Sequence, residues 1–210
     1  MIARSFPTGA FPGKGDEGEV SWKTDPFHVL ISTVLSQRTK DKNTHVASTQ
    51  LFSRFDTPKA LADAPLDVIR SLIRPAGFPA VKSKAIKDIA RIIHEDYGDE
   101  VPVDMESLLA LPLVGRKTAN CVLVYGFGLD AIPVDTHVHR VSNRIGLVKT
   151  KGPEETEREF VQIVPRDLWK VVNTLFVSFG KTVCRPVGPK CSGCPVNRYC
   201  DYYSKVFQKN

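Results

Sequence analysis

The stretch LPLVGRKTANCVLV, running from Leu111 to Val124, decides how the rest of the chain is read. A proline-containing turn ends at Gly115 and a helical pattern begins on Arg116 and Lys117. Gly115 supplies backbone geometry that residues with a Cβ reach only with strain, and it leaves room for another backbone to approach. The amides around it are the unpaired donors of a helix N-terminus and favour an anion, so Val114, Gly115, Arg116 and Thr118 are candidate contacts to a DNA phosphate.

Lys117 gives the same segment a second meaning. In the first turn of a helix the dipole opposes its ammonium form, the direction a nucleophilic amine needs. A solvated surface lysine fits the same position. Two further groups bear on the choice. Val134-Asp135-Thr136-His137 sets a carboxylate before a helical run with Val138, Val141 and Ile145, where Asp135 reads as an N-cap or as a catalytic acid. Near the C-terminus Cys184, Cys191, Cys194 and Cys200 form C-x6-C-x2-C-x5-C.

Taken in this order, the three groups resemble a DNA glycosylase/lyase of the endonuclease III type. The resemblance covers residues 24 to 202 and maps LPLVGRKTAN onto a helix-hairpin-helix with the catalytic Lys117. It maps VDTHVHRV onto the segment of the catalytic Asp135, with His137 and Arg140 as DNA contacts, and the four cysteines onto a [4Fe-4S] loop. The implied fold is all-α and two-lobed, a helical barrel lobe plus an iron-sulfur lobe with the DNA cleft between them. Residues 1–22 then form an irregular arm packing on the cluster lobe, 23–130 the barrel lobe with the hairpin, and 131–210 the C-terminal lobe with the cluster loop at 184–200.

Composition allows this. A chain of 210 residues with 42% hydrophobic and 25% charged residues is in the globular class, and a net charge of +6 with a pI near 9.1 fits a polyanionic partner. No apolar run reaches the roughly 20 residues that span a bilayer. The N-terminus lacks an apolar signal core, so the expectation is a cytoplasmic, nucleoid-associated monomer with no membrane partner. Cysteines clustered in a chain with no export signal favour metal or cluster ligation over disulfides. Cys121 lies outside the loop, in an apolar helix, and reads as a small core residue.

Going along the chain, residues 1 to about 22 hold Pro7, Gly9, Pro12, Gly13, Gly15 and Gly18 and read as irregular, although the resembled family opens with a helix there. Thr24-Asp25-Pro26 starts a helix with Phe27, Leu30, Ile31, Val34 and Leu35 on one stripe. The polar segment from Ser36 to Asp41 closes it, before a helix from about Lys42 to Phe55. In the resembled family this segment carries a glutamine that enters the duplex where the damaged nucleotide has left; its position falls on Arg38, with Gln37 beside it. Short helices follow from Pro58 and Pro65. The turn Gly77 to Ala80 is a second implied DNA loop, and a helix from Ala80 to Tyr97 carries the stripe Ile86, Ile89, Ala90, Ile93 and Tyr97. Lys82, Lys84 and Lys87 near its start meet phosphate or form a solvated face. Helices are expected at Leu108 and Leu109, from Asp135 to Arg144, from Pro153 to Val164 and from Pro165 to Phe179, with no alternating strand set.

Thr33 stands where the adenine-mismatch branch of the family has a catalytic glutamate, and Lys117 where the thymine-mismatch branch has tyrosine. The resemblance therefore implies excision of oxidised pyrimidines through a lysine Schiff base and β-elimination, with Asp135 ionised at the start. A monofunctional T/G or U/G mismatch glycosylase and a non-catalytic iron-sulfur DNA-binding module are the alternatives. For the cofactor, zinc is the rival of [4Fe-4S], but zinc modules favour paired C-x2-C arms and this loop has one. Arg185, Lys190 and Arg198 would surround the cluster with charge for the phosphate backbone. One departure stands out: the family hairpin reads LPGVG, and here its first glycine is Leu113. A positive φ there would cost leucine of order 1–3 kcal/mol, so a slight shift of the turn is expected.

Overall fold

Asp25 starts the first helix as its chemistry dictates. In the computed structural model, which describes residues 25–207, its Oδ1 accepts from the amides of Phe27 at 2.7 Å and His28 at 3.1 Å. Pro26 takes the first helical position, where no amide partner is needed. Helix α1 is Pro26–Ser36, and its stripe Phe27, Leu30, Ile31, Val34 and Leu35 is buried throughout, no member above 3% exposed. Truncating one of these to alanine would cost about 2–5 kcal/mol. The irregular arm expected over residues 1–22 lies outside the described residues.

Helices α2 (Asp41–Phe52), α3 (Pro58–Asp63), α4 (Leu66–Leu72), α5 (Pro79–Tyr97) and α6 (Met105–Ala110) follow. Helix α7 (Arg116–Cys121) runs directly into a π turn at Val122–Gly126. Proline sits in the first turn of α1, α3 and α5, which is why their starts are legible in the sequence. Helix α5 packs on α3 and α4, while α1 packs on α2, α7 and the π turn. Ile86, Ile89, Ala90 and Ile93 of α5 join the α1 stripe in one core. Tyr97, expected on that stripe, is instead 36% exposed, because α5 ends there and the core does not reach its last turn. Cys121 is fully buried.

The chain divides into two compact units between Leu129 and Asp130. The second holds α8 (Thr136–Ile145), α9 (Pro153–Ile163), a 3-10 turn (Arg166–Leu168) and α10 (Trp169–Thr182). Its own core gathers Ile132, Val134, Val138, Val148, Phe160 and Val172, with Phe160 edge-on to Phe176 at 5.7 Å. The helix expected from Pro165 begins as this 3-10 turn, and Leu168 and Val171 are 46% and 43% exposed. Helix α8 ends at Gly146, whose φ of +94° only glycine adopts freely; a Cβ there would also lie 2.7 Å from the Asp201 carboxyl carbon. The fold is all-α: no strand occurs among the described residues. No helix among them is long and apolar enough to cross a membrane.

Candidate active-site residues and cysteine loop

The segment between α6 and α7 turns through Leu111 and Leu113. The amide of Leu111 donates to Leu108 O at 3.3 Å and that of Val114 to Leu111 O at 3.1 Å. Leu113 has φ +59° and is 43% exposed. The expected shift of the turn is thus corrected: the left-handed conformation is kept and leucine bears it, at a cost of about 1–3 kcal/mol. Gln37 Nε2 donates to Leu113 O at 2.8 Å and holds that carbonyl in place. Gly115, two residues on, has an ordinary extended backbone with φ −103° and ψ 177°. A Cβ there would meet nothing within 4 Å, so neither its backbone nor its packing against the chain requires glycine.

Of the expected phosphate donors on this segment, one amide and one side chain are engaged within the chain. Val114 is buried and its amide is spent on Leu111 O. The Thr118 side chain is also buried, its Oγ1 accepting from Gln37 Nε2 at 3.4 Å. Arg116 and Lys117 are half-buried at the start of α7. The Lys117 side chain makes no hydrogen bond or ion pair with a described residue.

On the α1–α2 loop, Gln37 and Arg38 face different surroundings. Gln37 turns onto Leu113 and Thr118 and braces the hairpin. Arg38 is exposed, with φ +51°. Lys82 is also corrected: it is 3% exposed, and its Nζ donates to Leu35 O at 2.8 Å, Gln37 O at 2.6 Å and Thr39 Oγ1 at 2.9 Å. Its three protons are thereby used and burial lowers its pKa, so it neither meets phosphate nor sits on a solvated face. Lys87 is likewise spent, on Ala62 O at 2.5 Å and Ala64 O at 2.6 Å, while Lys84 is exposed. On the Gly77–Ala80 turn Ala80 is exposed, but the large side chain presented is Phe78, 58% exposed with φ +58°. The following proline disfavours the right-handed helical region for Phe78 but points to extended backbone, so its left-handed conformation had no signal in the sequence.

In the second unit, Asp135 caps α8. Its Oδ1 accepts from the amides of His137 at 2.8 Å and Val138 at 2.9 Å, leaving Oδ2 without either bond. His137 is half-buried, and burial pulls its pKa down against the opposing pull of the Asp135 carboxylate. Arg140 is corrected as a DNA contact because its guanidinium faces inward. Its Nη2 donates to Gly180 O at 3.1 Å, to Cys184 O at 3.0 Å and to His137 Nδ1 at 3.2 Å. Gly180 makes room for this stack: a Cβ there would lie 2.7 Å from His137 Nδ1 and 2.9 Å from Arg140 Nη2.

Cys184, Cys191, Cys194 and Cys200 border one cavity, together with Arg144 and Tyr203. Burial and the neighbouring sulfurs raise the Cys191 thiol, and burial raises that of Cys194. Among the described residues no three His, Cys, Asp or Glu side chains are gathered tightly enough for a single metal ion. The residue the sequence did not single out is Arg144. Its Nη1 donates to Arg185 O at 2.6 Å and its Nη2 to Pro186 O at 2.9 Å, its guanidinium stacks over Tyr202 at 4.8 Å, and its own carbonyl accepts from Cys200 Sγ at 3.3 Å. One arginine thus ties both ends of the loop. Arg185, Lys190 and Arg198 stay exposed.

Residues 31–166 match a family model described as HhH-GPD superfamily base excision DNA repair protein. An Endonuclease III of Thermotoga maritima is 50% identical to this chain, over 87% of it and 86% of the relative. A solved non-covalent Endonuclease III-DNA complex superposes with a TM-score of 0.82 at 34% identity, covering 88% of this chain and 86% of the other. A trapped covalent Endonuclease III-DNA intermediate gives the same TM-score and identity over 87% and 86% of the two chains.

Proposed function

This chain belongs to the HhH-GPD superfamily of base excision DNA repair proteins, and from that premise we propose that it is a bifunctional DNA glycosylase and abasic-site lyase acting on oxidised pyrimidines in duplex DNA. The observation that carries the reading is the state of Lys117. Lys82 and Lys87 of the same unit spend their ammonium groups on backbone carbonyls, whereas the ammonium of Lys117, in the first turn after the hairpin, is bonded to no described residue.

The chemistry follows from an amine nucleophile. A base within the duplex is reachable only once its nucleotide leaves the stack. Lys117 Nζ, as neutral amine, adds to C1′ and the bond from C1′ to the base breaks, the base leaving with the electron pair and taking up a proton. The sugar ring opens to a protonated Schiff base. Loss of a C2′ proton lets the C3′–O bond break, expelling the 3′ phosphate, and water then releases the lysine. Asp135, as a carboxylate, takes the proton of the lysine ammonium and gives it to the departing base, so that it is an anion again while positive charge develops on the sugar. Its Oδ1 is pinned by two amides, so Oδ2 carries that work. Arg38, exposed on its loop, fills the space left by the extruded nucleotide.

The four cysteines would hold a [4Fe-4S] cluster. They border one cavity without converging on a single-ion site, and a cluster that spreads its ligands over several iron atoms needs no such convergence. Bound there, the cluster would cross-link the loop and hold Arg185, Lys190 and Arg198 ready for the phosphate backbone.

The test is borohydride trapping on duplexes bearing thymine glycol or an abasic site. The wild-type chain forms a covalent DNA adduct and Lys117→Gln forms none; an adduct that survives the substitution removes Lys117 from its role. Base release without strand incision until alkali is added would instead identify a monofunctional mismatch glycosylase.

A further inference from the structure

Besides Asp99 just past the end of α5, φ +70°, three exposed residues of the first unit, Arg38, Phe78 and Leu113, hold left-handed backbone with φ of +51°, +58° and +59° though none is glycine. They lie on separate segments, the α1–α2 loop, the turn before α5 and the hairpin before α7. One polar network joins all three. Lys82 Nζ donates to Leu35 O, Gln37 O and Thr39 Oγ1. Thr39 Oγ1 also accepts from the amide of Gly77, beside Phe78, at 3.1 Å, and Gln37 Nε2 reaches Leu113 O. Arg38 is bracketed by two of the three residues that Lys82 grips, Gln37 and Thr39.

We infer that Lys82 is a positioning residue for DNA engagement, whose ammonium fixes the Arg38 loop, and through it the Phe78 turn and the Leu113 hairpin, in the arrangement that fills the gap opposite an extruded nucleotide. This rests on the glycosylase/lyase reading above. Lys82 is itself buried, so it acts through the segments it holds and touches no DNA. It makes no ion pair among the described residues, and a buried cation with no carboxylate partner is a costly way to achieve packing alone. What an ammonium offers over an apolar side chain is three donors on one atom, enough to gather two carbonyls and a hydroxyl from a loop that would otherwise splay.

Lys82→Met keeps the length and removes every donor; Thr39→Val removes the node that reaches Gly77 and keeps Lys82. Strand incision is measured for each on a duplex with one abasic site and on the same abasic strand unpaired, where there is no opposing gap to fill. The duplex-to-single-strand rate ratio is expected to fall by about tenfold or more for Lys82→Met, within the range of losses that ångström-scale misplacement causes, and to fall less for Thr39→Val. The single-strand rate is expected to hold near wild type in both. Equal losses on both substrates, or an unchanged ratio, overturn the inference and leave Lys82 a packing residue. If Lys82→Met does not fold, the ratio for Thr39→Val decides. A wild-type chain inert on both substrates removes the catalytic reading, and this inference with it, whereas an active wild type with an unchanged variant ratio removes this inference alone.

Discussion

Replacing Leu113 by alanine and by glycine isolates the strain in the hairpin. Leucine at this position is 43% exposed, so about half of its side chain is withdrawn from water. Full burial of a leucine contributes about 1.5–3 kcal/mol, and either truncation therefore forfeits about 1 kcal/mol. Alanine keeps the left-handed penalty of roughly 1–2 kcal/mol that the φ of +59° imposes. Glycine escapes that penalty and loses about 0.4–1 kcal/mol through the greater freedom of its unfolded chain. The difference leaves Leu113→Gly more stable than Leu113→Ala by about 0.5–1 kcal/mol, the reverse of the order found in most of a helical protein. Urea denaturation followed by far-ultraviolet circular dichroism measures this, and the melting temperatures should separate by about 1–4 °C at this chain length. An alanine variant as stable as the glycine variant would show that residue 113 is not held left-handed, and would remove the hairpin strain from the account.

Asp135→Asn and Asp135→Ala separate cap from charge. Asparagine keeps an acceptor for the amides of His137 and Val138 and should match wild-type stability closely, whereas alanine should lose about 1 kcal/mol. Both should lose lesion excision in single-turnover assays, and an active asparagine variant would exclude a role for the carboxylate. Gly180→Ala forces a methyl group against His137 and Arg140 and should cost about 1–3 kcal/mol of denaturation free energy. For pH, the Asp104 carboxyl is held below the ordinary 3.8 by its hydrogen bonds from Ser107. A depressed carboxylate contributes stability above 3.8 that is lost as pH falls through its lower folded value. Asp104→Asn should therefore flatten the acid limb of the stability profile, which acid titration by circular dichroism would record.

The helices were legible because their boundaries are written in residue types: Asp25 before Pro26, Thr57 before Pro58 and Asp104 before Met105 each set a start. The α1 stripe was legible for the same reason, since apolar recurrence needs no tertiary knowledge. Lys82 was misread although its place was visible. It lies four residues before Ile86, on the face that carries Ile89 and Ile93, yet a lysine is counted as polar when a stripe is drawn. Arg140 and Arg144 were beyond reach for a different reason. Their partners are carbonyls of Gly180, Cys184, Arg185 and Pro186, about 40 positions away, and carbonyls carry no side-chain signature. Gly115 drew the left-handed geometry in the reading because glycine is its usual bearer, while the chain placed it on Leu113.

The left-handed trio also bears on how this protein tolerates improvement. A protocol that searches for thermostabilising changes would select glycine at Arg38 and Phe78, because each swap relieves the backbone. Each would also delete the protruding side chain that the distorted backbone exists to display. Tolerance to heat and competence on damaged DNA should consequently diverge at these sites, and libraries screened on melting temperature alone would enrich for folded, idle molecules.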